Sequence, residues 1–453
     1  MENFARLLQL IDHKKYTDVR ELVQEINLVD LADFIGEMHE DKRTVILFRI
    51  LPKEIAAEVF SYLGKDLKQK IVEIISDNEL TEIISEMFLD DTIDFIEEMP
   101  ASIVKRVIKS ADSATRKGIN QLLKFPEDSA GSIMTIEFME LDDDWTVKKA
   151  IEEVRKKSSE KESISKLFVT KRNKILEGTI ELKNVLAGKD DELIGDIMDT
   201  DIISVNVHED QKQVADMFKK YDFESMPVVD NENRLVGLIT IDDIVDVIEE
   251  ETTEDIYKMA AMVPNEETYL NTSVFMLARK RVLWLMILMV SAFLTRMIIS
   301  SYDEMLASFV FLSSFIPMLM NTAGNAGSQA SVSIIRSIVL NEVKFKDILK
   351  VMWKEQQVGI LIGAAVALLN FVGIIGINLI FPGLNHPYLT AIVVSLTLFV
   401  TIALAKIIGC SLPLIATKFK LDPALMASPM ITTIVDAIAL VIYFKLATMF
   451  FPL

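Results

Sequence analysis

One carboxylate stands inside a segment otherwise apolar enough to cross a bilayer. Asp436 closes the run Ser428-Pro429-Met430-Ile431-Thr432-Thr433-Ile434-Val435-Asp436. A carboxylate at bilayer depth costs at least ~3 kcal/mol and marks a functional site by default. Thr432 and Thr433 precede it by four and three residues, on the same face of a helix. The three side chains make an oxygen-lined stripe suited to a hard or hydrated cation. The competing reading is an Asp436 ion pair with Arg296 or Lys406 on a neighbouring span. A second feature is Asn321-Thr322-Ala323-Gly324-Asn325-Ala326-Gly327-Ser328-Gln329. Its small residues permit close helix approach or a backbone lining a cavity, and Asn325, Ser328 and Gln329 add polar atoms. Helix packing alone would also explain the glycines.

Other chemistry is poorly supported. There is no Gly-x4-Gly-Lys-Ser/Thr loop and no Asp-Lys-Thr-Gly run, so ATP-driven pumping is unsupported and no enzymatic activity is expected. His13, His39, His208 and His386 are scattered without zinc spacing. The single cysteine, Cys410, lies in an apolar stretch and reads as core. The chain of 453 residues holds 47 Lys+Arg against 67 Asp+Glu, a net charge of −20, which disfavours nucleic acid and suits cations. Met1-Glu2-Asn3-Phe4 opens no secretory signal pattern.

The elements that must position these residues are sharply segregated. Residues 282–453 carry 10 Lys+Arg and 7 Asp+Glu, which leaves 37 and 60 for residues 1–281. An acidic, water-soluble front is therefore joined to an apolar back. Arg279-Lys280-Arg281 precedes the first apolar run, Val282–Ser300, and further runs fall at about 305–339, 357–381, 389–416 and 424–450. Five spans follow. Arg336, Lys344, Lys346, Lys350 and Lys354, then Lys418 and Lys420, lie on one side, which the positive-inside rule makes cytosolic. The N-terminal half is then cytosolic and Leu453 outside, in a multi-pass protein of the cell membrane.

Residues 1–128 read as a helical array, with Leu51-Pro52-Lys53-Glu54-Ile55 echoed 48 residues later by Met99-Pro100-Ala101-Ser102-Ile103. Residues 196–252 read strand, helix, strand, strand, helix, with a hairpin around Asn231-Glu232-Asn233. Together with Gly237-Leu238-Ile239-Thr240-Ile241-Asp242-Asp243, this order resembles a CBS domain. Residues 129–195 resemble a more divergent first copy. The resemblance implies a pair that can hold an adenine nucleotide such as ATP, with candidate contacts at Lys183, Asn184, Phe223, Pro227, Thr240 and Asp243. In the first copy Glu181 and Asn184 replace the hydroxyl and the acid, and a nucleotide-free pair acting as a dimer scaffold is the alternative. Residues 253–281 connect to the membrane half. The cluster Glu249–Asp255 lies at their start, a helix is expected to open at Pro264-Asn265-Glu266-Glu267, and it should run to Arg281.

At this point the whole chain resembles the MgtE family of magnesium channels, most specifically in Gly324–Gln329 and in Asp422-Pro423-Ala424 through Asp436. The resemblance implies a multidomain membrane protein: a helical N domain, an α/β CBS pair, a long connecting helix and five transmembrane helices. It also implies a homodimer whose pore is lined by spans two and five. Asp436 matches the family's pore aspartate, and Thr432, Thr433, Gly324, Asn325 and Ser328 are its candidate companions, Ser328 standing where some members carry Asn. Cytosolic Mg²⁺ would close the pore by bridging acids. Asp243, Asp246, Glu251, Glu254, Asp255 and Asp422 match such positions, with Asp90, Asp91 and Asp94 as N-domain candidates. A proton- or sodium-coupled exchanger and a membrane sensor without flux are the competing functions.

Overall fold

The computed structural model describes residues 2–38, 41–264, 269–270, 272–383, 386–426 and 428–451, and the chain divides into two units, Met1–Glu249 and Glu250–Leu453.

The first unit begins with ten helices: α1 Glu2–Asp12, α2 Tyr16–Val23, α3 Leu28–Glu37, α4 Asp41–Ile50, α5 Lys53–Tyr62, α6 Lys65–Ile74, α7 Asp77–Glu86, α8 Leu89–Glu98, α9 Ala101–Ser110 and α10 Ser113–Leu122. From α4 onward each helix starts 12 residues after the last, so the true repeat is a helix pair of 24 residues, and the 48-residue echo spans two of them. Pro52 and Pro100 both sit at the N-cap, where a missing N–H costs nothing. Helices α3, α5, α7 and α9 stack in one row while α6, α8 and α10 stack in another. Ser76 and Glu79 form a reciprocal capping box at the start of α7.

The CBS pair follows. The first copy contains β1 Glu140–Asp142, α11 Val147–Lys157, β2 Lys166–Lys171, β3 Ile175–Glu181, α12 Leu182–Ala187 and the short α13 Ile194–Ile197. The second contains β4 Val205–Asn206, α14 Gln211–Tyr221, β5 Ser225–Val229, β6 Leu235–Thr240 and α15 Ile241–Met259. Each copy forms a three-stranded sheet, parallel then antiparallel. The copies exchange their leading segments: Thr135 bridges to Leu238 and Thr179 to Asp199. Gly237 leaves room for Met134 and Gly178 for Met198, the same contact made twice. One apolar core runs from Leu7 through Phe60 and Phe95 to Met134, Phe218 and Ile239, so the N domain and the second CBS copy share a single interior.

The second unit holds α16 Val274–Ser300, α17 Asp303–Ser308, α18 Ile316–Val339, α19 Ile348–Ile380, α20 Pro387–Lys418 and α21 Ser428–Phe450. Among the described residues, four helical segments are long and apolar enough to cross a membrane: Val274–Ser300, Phe345–Ile380, Pro387–Lys418 and Pro423–Phe450. The expected second span differs. It begins at Ile316, not near 305, after the 3-10 segment Val310–Phe315, and its 24 residues reach ~36 Å, a spanning length. Its apolarity is diluted by Asn321, Thr322, Asn325, Ser328 and Gln329, side chains that need a polar surrounding. Helix α20 packs against α18, α19 and α21. Helix α16 buries no residue within the chain.

The connection also departs from expectation. The acidic cluster Glu249–Asp255 does not begin a linker. It lies inside α15, which runs past residue 252 to Met259 because no glycine or proline interrupts it. The helix expected to run from Pro264 to Arg281 is not continuous, since Tyr269 and Leu270 form a turn and Thr272 and Ser273 are not helical. Ala261 adopts φ 53°, and α16 starts at Val274, capped by the Ser273 side chain on Met276 N. Asn265, Glu266 and Glu267 lie outside the described residues.

Candidate functional site

Asp436 faces α18 at Gly324. A Cβ on Gly324 would stand 2.7 Å from Thr432 Cγ2 and 3.2 Å from Asp436 Oδ1. Only glycine admits this approach, and Gly327 likewise lies against Ile431 and Val435. Thr432 Oγ1 donates to Ser428 O at 2.7 Å and Thr433 Oγ1 to Pro429 O at 3.0 Å, so the hydroxyl protons are occupied and lone pairs stay open. Ser328 Oγ lies 2.9 Å from Ser428 Oγ and 3.4 Å from Thr432 Oγ1. Ser331 Oγ donates to Met426 O at 3.1 Å. These hydroxyls join α18 to the start of α21.

Asp436 Oδ1 is buried with no hydrogen-bond partner among the described residues. The alternative ion pair with Lys406 does not form, since Lys406 Nζ donates to Gln329 Oε1 at 3.2 Å. Asn325 is not brought to Asp436. It lies on an exposed face of α18 with Asn321 and Gln329, and its Nδ2 donates to Asn321 Oδ1 at 3.1 Å.

In the first unit acids of α8 and α15 lie close enough to perturb one another, and two residues that the spacing did not reveal join them. Glu137 Oε2 accepts from Leu89 N at 2.8 Å, capping α8 from the CBS pair. Glu162 belongs to the same group, its backbone N–H bonding Glu137 O at 2.9 Å, and its Oε2 is buried without a hydrogen-bond partner among the described residues. Both residues sit in loops, where no periodicity marks them.

Burial pushes Glu162 up to about 9, reinforced by Asp90, Asp242, Asp243 and Asp91. Asp243 rises to about 8 by burial and by Asp90, against a 2.7 Å hydrogen bond from Thr240 Oγ1. Asp91 rises to about 6 through burial and Asp90. Asp94 rises to about 7, by crowding of its carboxyl against the protein first and by Asp90 and Asp91 after it, although part of its side chain reaches solvent. Burial also raises Asp90 and Glu137. The nearly buried Lys68 is the counter-charge acting on Asp91 and Asp94. Asp246 stands apart, exposed on α15, raised by burial of its inner edge and by Glu249 and Asp242. Among the described residues no three His, Cys, Asp or Glu side chains are placed to hold one metal ion directly.

In the second unit Glu254 and Asp422 are joined by a residue that sequence reasoning missed. Lys258 Nζ lies 2.6 Å from Glu254 and 2.8 Å from Asp422, and the two hydrogen bonds raise the ammonium to about 12 against the cost of burial. Glu251 and Asp255 lie on the same helix.

Of the nucleotide candidates, Phe223 stacks on Tyr221 with centroids 5.4 Å apart, and Lys166 lies 4.9 Å over the Phe223 ring. Thr240 and Asp243 bond each other, Lys183 pairs with Glu181, and Pro227 is buried in β5. Asn184 uses its carbonyl to receive Gly188 N at 3.0 Å.

Comparison with known proteins covers both units. Residues 26–128 match a family described as the MgtE intracellular N domain, 194–250 a CBS domain, and 316–446 a divalent cation transporter. A magnesium transporter MgtE of Bacillus subtilis is 30% identical over 449 residues, covering 99% of this chain and 97% of that protein. One of Thermus thermophilus is 32% identical over 433 residues, covering 95% and 94%. The solved soluble part of a magnesium transporter superposes with TM-score 0.53 at 28% identity, covering 55% of this chain and 98% of that one. The cytosolic domain of the Mg²⁺ channel MgtE in complex with ATP superposes with TM-score 0.52 at 29% identity, covering 54% and 99%.

Proposed function

Because the chain belongs to the MgtE family of magnesium transporters, we propose that it is a passive, Mg²⁺-selective channel closed by Mg²⁺ on its cytosolic side. The observation that carries this reading is the buried Asp436 Oδ1, without a hydrogen-bond partner among the described residues and facing Gly324 on α18, one helical turn along from the linked hydroxyls of Ser328 and Thr432. Mg²⁺ dehydrates reluctantly. Its coordinated waters donate hydrogen bonds, so a carboxylate and hydroxyls with open lone pairs hold a hydrated ion without stripping it. In a homodimer two such sites would face each other across the path between spans two and five. The membrane potential suffices as driving force, at about 4.6 kcal/mol per 100 mV for a divalent cation. A coupled exchanger gains nothing from Lys406, whose ammonium is engaged with Gln329.

Closure rests on the acids. The donor set around Asp90, Asp91, Asp94, Glu137, Glu162 and Asp243 is all oxygen, as Mg²⁺ requires, and Glu162 Oε2 has an open lone pair. Since no three of these side chains close on one point, the ion would be held partly through its waters. Removing it leaves buried like charges that repel α8 from α15. The stacked Tyr221 and Phe223 rings offer the adenine of an ATP molecule a face in the CBS pair. By the positive-inside rule the acidic unit faces the cytosol of a cell-membrane protein.

Patch-clamp recording of the reconstituted full chain, with cytosolic Mg²⁺ varied, tests the reading. Wild-type current should shut as Mg²⁺ rises and be lost in Asp436→Ala. Flux that appears only under a proton or sodium gradient, or an Asp436→Ala current equal to wild type, would refute it.

A further inference from the structure

Lys406 is 4% exposed, on α20, 12 residues before that helix ends at Lys418. An ammonium within a span is expensive and rarely without a task. Its position is fixed by backbone. A Cβ at Gly359 of α19 would stand 3.3 Å from Lys406 Cγ, and Gly409, one turn on, touches the backbone of Gly327 on α18. The stem is therefore threaded between α19 and α18. The one acceptor it reaches is Gln329 Oε1 at 3.2 Å, and among the described residues no carboxylate comes within ion-pair distance. Glu355 on α19 attracts it from further away.

Gln329 belongs to an outward face. Asn321, Asn325 and Gln329 recur at four-residue spacing along α18 and all three are exposed. Carboxamides do not belong in lipid, and this face fits water or a partner copy. Gln329 lies five residues beyond Gly324, or ~7.5 Å along the helix toward its Arg336 end.

We propose that Lys406 is a positioning residue that sets the cation barrier just inward of Asp436, by fixing a positive charge there and by holding the Gln329 carbonyl to itself through one of its two lone pairs. The inference rests on the conduction reading above. A hydrated Mg²⁺ needs acceptors for the protons of its waters. At this level Lys406 occupies one of the two lone pairs of the Gln329 carbonyl, which leaves the ion a single acceptor site held beside a fixed ammonium. The ammonium adds a repulsion that acts twice over on a divalent ion. An ion leaving Asp436 thus meets a step rather than a second site.

The test is the unitary Mg²⁺ current of the full chain in a reconstituted bilayer, recorded across voltage for wild type, Lys406→Met, Lys406→Gln and Lys406→Arg. Neutral substitution should raise inward Mg²⁺ current at fixed voltage at least about threefold and change the rectification, while Lys406→Arg stays close to wild type. Lys406→Gln keeps polar atoms and serves if the methionine variant does not fold, as judged by its elution as a single species. A wild-type current–voltage relation in a folded neutral variant would overturn the proposal and leave the channel reading standing. A wild type that carries no current would overturn both.

Discussion

Glu162 gives the sharpest handle on the cytosolic acid group. Its carboxyl is raised from an ordinary 4.5 to about 9 by burial and by Asp90, Asp242 and Asp243, so at pH 7 it is protonated in the folded chain and ionised in the unfolded one. A carboxyl with a raised folded value contributes stability that is complete below pH 4.5 and is lost as pH climbs toward 9. Between the ordinary value and pH 7 lie about 2.5 pH units, an upper bound of ~3.4 kcal/mol. Partial exposure and salt reduce this to roughly 1–2 kcal/mol. Glu162→Gln keeps the shape and removes the charge, and should recover that amount. For a unit of this size it corresponds to a rise in melting temperature of roughly 2–4 °C. Melting of the full chain in detergent, in EDTA at pH 6 to 9, reads it out: wild type should lose stability across the range and the variant should lose less. Added Mg²⁺, which replaces the proton as the neutralising charge, should stabilise wild type more than the variant. A variant that melts no higher than wild type at pH 8, with an unchanged pH slope, refutes the placement of Glu162 in the acid group.

Gly324→Ala should sharply lower Mg²⁺ current in a reconstituted flux assay. A helix interior ordinarily gains up to ~1 kcal/mol from this change, but a Cβ 2.7 Å from Thr432 Cγ2 costs ~1–3 kcal/mol or displaces Asp436, and unaltered flux would show that α18 and α21 separate there. Lys258→Met should raise the Mg²⁺ concentration needed for half-closure in patch recordings, because Glu254 and Asp422 then repel where an ammonium joined them. The double change Lys258→Met with Asp422→Asn should cost less than the two single changes summed, and strict additivity would exclude the contact.

Legibility varied with the kind of signal. The spans, the helix pairs and the second CBS copy were readable because period and length carry them: apolar runs near Val282–Ser300, and the proline echo at Pro52 and Pro100. Asp436 was readable because charge inside an apolar run is rare. The 24-residue repeat was seen only at its double, since Pro marks alternate pairs and Ser76 starts the one between. The continuation of α15 through Glu249–Asp255 was missed because a block of like charges reads as a solvated linker, whereas Lys258 one turn beyond Glu254 supplies the i,i+4 pair that supports a helix. Glu137 and Glu162 carried no signal at all, because what selects them is three-dimensional: the Leu89 N–H at the buried α8 N-terminus and a crowd of acids around it.

The continuity of α15 bears on the gate. One unbroken helix carries Asp242, Asp243 and Asp246 at its start and Glu254 and Lys258 near its end. In the proposed closure, repulsion at the first set would act on one end of this helix, since no glycine or proline interrupts residues 241–259. In the proposed mechanism the Lys258–Asp422 contact is then the element that feels the strain, because Asp422 stands six residues before Ser428, where α21 begins. An ion pair can yield to such a force where a packed apolar core would not, since its partners are rehydrated on separation. Introducing Gly-Gly in place of Thr252-Thr253 tests the argument: it should cut transmission, leaving Mg²⁺ binding to the acids intact while half-closure shifts to higher Mg²⁺ or is lost. Wild-type closure in that variant would mean that α15 does not carry the signal.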